Sequence, residues 1–153
     1  MIIDSSLEMC DATSAALGTI DGITKVGNAV DLHPLSSDNA TVDLSAGEKL
    51  YLVIEVTTLF AGGTNAAYKI DLTTSTDAAL TGGTTANIWT TGSLLMTSWT
   101  AGTRYIASLP EADYHRYLGI RGTAVTANVT SGNINAFITK NVTNWTSTDT
   151  RIG

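Results

Sequence analysis

The chain has 153 residues, one domain's worth, and a chain of that length buries a core without disulfides or metals. Only 14% of residues are charged, against ~25% in an average soluble protein, and eight basic against fourteen acidic residues leave a net charge of −6. With no basic run to meet phosphates, the chain is not expected to bind nucleic acid or an anionic membrane surface.

Hydroxyls replace the missing charge: 26 residues are Thr, and Gly contributes 14. Thr is β-branched and favours strands. Together with 43% apolar residues this composition reads as an all-β domain and not as disorder, which needs low hydrophobicity and high charge. The longest apolar run is Leu50 to Ile54, far below the ~18 residues that span a bilayer. The opening Met1-Ile2-Ile3-Asp4 has no basic leader followed by an apolar stretch, so no signal peptide is expected.

Residues 1–19 read as an extended N-terminal arm. Ile2, Ile3, Leu7 and Met9 are apolar, but neither a helical nor a strand period covers the segment. Such an arm either docks on another chain or forms an edge strand of its own domain. Lys25 to Leu32 reads as a short strand. Lys49 to Thr57 is the clearest strand: Leu50, Leu52, Ile54 and Val56 share one face, while Tyr51 and Val53 make the other partly apolar. That pattern predicts cover on both sides.

Ala66 to Thr74 alternates Tyr68, Ile70 and Leu72 with Lys69, Asp71 and Thr73, which predicts one buried and one wet face. The Gly62-Gly63 turn between the two segments predicts an antiparallel hairpin. Ser75 to Thr85 reads as a Thr/Gly/Asp loop. Ile88-Trp89 and Leu94 to Met96 are short apolar pieces. Arg104 to Leu109 predicts a strand that stops at Pro110. Arg116 to Thr123 predicts another, with Leu118 and Ile120 on one face and Tyr117, Gly119 and Arg121 on the other. Gly132 to Lys140 predicts the last strand, with Ile134, Ala136 and Ile138 inward. The expected architecture is a single-domain β-sandwich or jelly roll of about eight antiparallel strands over 20–140. It lies between the arm and a polar C-terminal tail, 141–153, that holds Trp145.

Groups able to do chemistry are sparse. His33 precedes a proline in a turn, and His115 stands between Tyr114 and Arg116 at a strand entrance. A catalytic imidazole needs a nucleophile on one nitrogen and an orienting acceptor on the other. No Gly-x-Ser-x-Gly elbow is present. Glu111 and Asp113 share a face if extended, but they follow Pro110 in a turn and read as solvated acids. Asp71 and Asp77 do not match a calcium loop, which has a central Gly and a terminal Glu. No Cys/His cluster suits zinc, and no phosphate-binding loop occurs. Cys10, the single cysteine, reads as a small buried apolar residue. The residues therefore lead us to expect no enzyme, no catalytic or metal site and no cofactor. Trp89, Trp99 and Trp145 are the stacking rings a sugar-binding module would use, or else core and interface anchors. Trp145, in the polar tail, is the candidate for a contact between chains, together with Ile2, Ile3, Leu7 and Met9 of the arm.

Several stretches carry a resemblance: Met1 to Glu8, Leu50 to Ile54, Leu109-Pro110, Arg116-Tyr117-Leu118-Gly119-Ile120-Arg121, and Gly132 to Thr139. In this order they resemble the capsid cement proteins of tailed bacteriophages, the family typified by the Bordetella phage cement protein. The resemblance implies a jelly roll without a catalytic site, made in the host bacterial cytoplasm and carried on the capsid exterior of the virion. It implies that the chain bridges major capsid protein subunits and acts as a homo-oligomer, with a dimer favoured and a trimer possible. The rival expectation is a carbohydrate- or receptor-binding β-sandwich module of a virion or its tail.

Overall fold

The computed structural model describes residues 7–14, 22–33, 42–44 and 49–142. Their strands are β1 (Glu8–Ser14), β2 (Ile23–Asp31), β3 (Val42–Leu44), β4 (Tyr51–Gly62), β5 (Ala67–Ser75) and β6 (Thr85–Thr90). The chain continues through β7 (Leu94–Leu95), a 3-10 turn at Met96–Ser98, β8 (Arg104–Ser108), β9 (Ala112–Tyr114), β10 (Tyr117–Val125) and β11 (Val129–Thr139). The eight expected segments all carry strands; β3 and β9 are additional, and β1 falls in the N-terminal segment.

Two antiparallel sheets form a β-sandwich. The first is ordered β1-β11-β4-β8. The second is ordered β2-β10-β5-β6, with β7 also pairing with β5; β3 and β9 make a separate pair. Side chains alternate across a strand with period two, so register decides which residues face inward. In the first sheet Leu52, Ile54 and Val56 lie opposite Ile138, Ala136 and Ile134. In the second, Leu72 lies opposite Ile120, and Tyr68 opposite Ala124. All of these side chains join one buried cluster between the sheets. Val53 and Phe137 face each other on the opposite side of the first sheet, yet are only 0% and 2% exposed. Cover on both sides of 49–57 is therefore borne out.

Two expectations are corrected. β4 and β5 are not a hairpin, because they lie in different sheets. The turn at their junction is real: the Ala66 N–H donates to the Gly63 carbonyl at 3.0 Å. It serves as an arch between layers, since β4 pairs with β11 and β8 instead of its sequence neighbour. A turn signal reports a reversal of direction and says nothing about the partner strand.

Nor does β5 have a wet face. Asp71 and Thr73 are 3% and 0% exposed. β5 is an interior strand, and the loop after it folds back over the outer side of the second sheet. Leu80, at 0% exposure, packs so closely over Gly119 that a Cβ there would lie 2.7 Å from its Cδ1. Asp77 holds this loop in shape. Its Oδ1 accepts from the Ala79 N–H at 3.1 Å, and its Oδ2 from Gly82 at 3.3 Å. Its carbonyl accepts from the Leu80 N–H at 2.9 Å.

Of the two readings of the N-terminal segment, the edge strand holds for Glu8–Ser14, which pairs with β11. β1 also closes that side of the sandwich against β2. There Gly27, at φ +70, lies so close to β1 that a Cβ would stand 2.7 Å from Cys10 Sγ. A left-handed backbone beside a crossing strand requires glycine.

Candidate contact surfaces

The five residues expected between chains fall into three groups. Ile2, Ile3 and Trp145 lie outside the described residues. Leu7 is partly buried and packs against the core. Met9 is 1% exposed and is part of that core, so its side chain is used within its own domain. Its neighbour Cys10 is buried as well, and its thiol donates to the Val26 carbonyl at 3.2 Å. Burial, with the Glu8 charge adding to it, pushes the Cys10 thiol up to about 12. It is therefore protonated at any ordinary pH and is no nucleophile.

The remaining polar candidates are dispersed. Glu111 and Asp113 are exposed, Asp113 within β9. The His115 N–H donates to Thr74 Oγ1 at 2.7 Å, and the His33 N–H to Asp31 Oδ1 at 2.9 Å. Asp31 also pairs with Arg116 at 2.9 Å, and that guanidinium holds its carboxyl below the usual carboxylate range. Asp71 pairs with Lys69 at 3.1 Å on the sheet, while Asp77 is engaged by its own loop. Glu55 pairs with Arg104 at 2.8 Å across β4 and β8. Each pair links adjacent strands or neighbouring positions of one strand. Among the described residues, no group of three His, Cys, Asp or Glu converges to hold a metal ion.

What the outside offers instead is a long neutral flank. From Ala78 to Thr103 the chain has no charged residue. This stretch is pinned inward by Trp99, which is 0% exposed. The indole packs against Phe60 and Tyr105, with ring centres 5.2 and 4.9 Å away, and meets Tyr68 edge-on at 6.1 Å. Its Nε1–H donates to the Leu94 carbonyl at 3.3 Å. Beside it an open cleft of about 340 Å³ is lined by Ala61, Gly62, Gly63, Ala66, Leu95 and Met96. Leu95 is 56% exposed, and Leu59 and Ile23 are 53% and 51% exposed elsewhere on the surface.

The sequence reading missed all three exposed residues. Leu59 and Leu95 lie in short apolar stretches and Ile23 stands between Gly22 and Thr24, and which side of each faces water depends on pairing with strands far away in the sequence. The one available signal was the run of neutral residues around Leu94-Leu95, too short to alternate.

The family model for Bbp16 matches residues 14–138, from the end of β1 to within one residue of the end of β11. The chain belongs to the Bbp16 family. The name points to a Bordetella phage protein, and Bbp16 membership makes this a phage-associated chain, in line with the resemblance carried by its motifs. Among curated proteins none matches it.

Proposed function

We propose that this Bbp16 member is a capsid cement protein. In this reading it is a non-catalytic clamp that binds the outer surface of the expanded icosahedral head and bridges major capsid protein subunits. The observation that carries the reading is the family match over nearly the whole sandwich. The layout of the surface supports it: scattered ion pairs, a two-sheet body and an uncharged stretch from Ala78 to Thr103 suit docking better than turnover. Interfaces of on the order of 1,000 Å² or more, repeated many times on a lattice, stabilise a shell even where each contact is weak. A protein that binds only the expanded state shifts the equilibrium towards that state by mass action. Thr-rich faces lose little side-chain entropy when they meet.

The rival sugar-binding reading loses one of its three stacking rings, because Trp99 is buried in the core. Partners in this proposal are the major capsid protein and further copies of the chain, on the exterior of the virion. Co-sedimentation of the purified chain with expanded and unexpanded empty heads tests it. Saturable binding to expanded heads alone is expected; binding to neither form overturns the proposal.

A further inference from the structure

Register sets what the outer face of the second sheet presents, because residues opposite one another in an antiparallel pair share a face. Lys25, Arg121, Asp71 and Thr90 form one row across β2, β10, β5 and β6. Ile23, Thr123 and Lys69 form the next row across β2, β10 and β5. Neighbouring strands lie ~4.8 Å apart, so each row is a line of close side chains. The loop that carries Leu80 covers Gly119 farther along β10, while Ile23, Lys25 and Thr90 are exposed. Three of the chain's eight basic residues thus meet a single acid in these two rows, on a chain of net charge −6.

These groups do not satisfy one another. Arg121 and Asp71 are directly opposite, yet Arg121 Nε and Asp71 Oδ1 are both buried without a hydrogen-bond partner. Asp71 uses Oδ2 alone, on Lys69 at 3.1 Å. Lys25 Nζ donates to the Ala78 carbonyl at 3.3 Å. Thr123, 8% exposed, holds a third buried atom without a partner, its Oγ1. Among the described residues four buried side-chain atoms lack a partner, and three of them lie in these two rows. A buried polar group left unpaired carries the full cost of its lost water, so a ligand that supplies the partner is favoured there.

The unmet groups select the occupant. Two donors, Arg121 and Thr123, flanked by Lys25 and Lys69, call for an anionic acceptor, and the guanidinium fork suits a planar carboxylate. Asp71 Oδ1 calls for a donor, which a peptide N–H supplies and a bare inorganic anion does not. Ile23, 51% exposed at the border, adds apolar contact. We propose that the outer face of β2, β10 and β5 docks an acidic protein segment, with a carboxylate of that segment on Arg121 and Thr123 and a backbone N–H on Asp71. This deepens the proposed function and rests on it only for placing that segment on the head surface. A chain of net charge −6 is repelled by an acidic surface as a whole, so the patch also decides which side of the sandwich faces the partner.

Two measurements on the full chain test this. In co-sedimentation with expanded heads, Arg121→Gln and Lys25→Glu are each expected to weaken binding by about tenfold, and binding of the wild type is expected to weaken as salt rises. Lys140→Glu, an exposed site beyond β11 that changes net charge as much as Lys25→Glu does, is expected to bind as wild type. Circular dichroism checks folding; should Arg121→Gln misfold, the exposed Lys25 decides. In amide NMR spectra of the labelled chain, a short poly-glutamate peptide is expected to shift Ile23, Lys25, Lys69, Arg121 and Thr123, while poly-glutamine and inorganic phosphate leave them in place. Heads that bind both variants as tightly as wild type overturn the inference and leave the cement role standing. Where no heads are bound, the cement role falls and the peptide decides: shifts confined to this face uphold the patch, and no shifts, or shifts with phosphate alone, overturn it.

Discussion

Replacing Trp99 with alanine removes the largest fully buried side chain among the described residues. The indole contacts three rings, Phe60, Tyr68 and Tyr105, and bonds through Nε1 to the Leu94 carbonyl. It thereby ties the neutral segment to both layers of the sandwich. Large aromatic truncations in cores cost about 3–5 kcal/mol, and aromatic pairs add roughly 0.5–1.5 kcal/mol beyond area burial, which places this one at the upper end. Against a total stability on the order of 5–15 kcal/mol, that is a large share. In a domain of this size 1 kcal/mol moves Tm by roughly 2–4 °C, so about 4–5 kcal/mol lowers it by roughly 8–20 °C. Trp99→Phe keeps a ring in place but loses the hydrogen bond and part of the packing, and is expected to cost about 1–2 kcal/mol. Urea and thermal unfolding followed by circular dichroism measure both variants. A Trp99→Ala protein within about 1 kcal/mol of wild type would refute the reasoning, because it would mean that the aromatic cluster does not anchor the segment.

Gly122 lies beneath the ring of Tyr68, and a Cβ there would collide with the Tyr68 hydroxyl. Gly122→Ala is therefore expected to cost about 1–3 kcal/mol by overpacking, read as a shift of the urea midpoint; an unchanged midpoint contradicts the packing described. Burial raises the pKa of Cys10 to about 12 and moves Tyr68 and Tyr105 upward too. The fold holds all three neutral, while the unfolded chain ionises at the ordinary values, 9.0 for Cys and 10.0 for Tyr. Their contribution is thus fully present below pH 9 and is lost as pH rises through 9 to 12. A urea midpoint that stays flat up to pH 11 would contradict this. Rapid labelling of Cys10 by a thiol reagent in the native state would do so as well.

How much was legible in the sequence depends on whether local order decides the answer. Alternation at 66–74, 116–123 and 132–140 identified Ile70, Leu118 and Ile134 as core residues, because period-two patterns report a face directly. Where pairing between distant segments decides, local reading fell short. β4 pairs with β11, some eighty residues away, so the Gly62-Gly63 turn looked like a hairpin and is an arch. Asp71 looked solvated, since nothing nearby announces that the next loop folds back over its sheet. Leu80, the only large apolar residue of that loop, was the available hint. Met9 read as part of a sticky arm because its segment has no period, yet two register shifts in β1 account for the missing period while Met9 still points into the core. The outer face of the second sheet and the neutral edge at β6 became visible only once the strands were ordered.

Heads carry the most direct test of the central claim. Expanded capsids with and without the purified chain can be heated in parallel while DNA release is followed with an intercalating dye. A cement protein is expected to raise the release temperature in proportion to occupancy, up to a plateau once every site is filled. A release temperature that stays the same at all amounts of added chain would contradict the account.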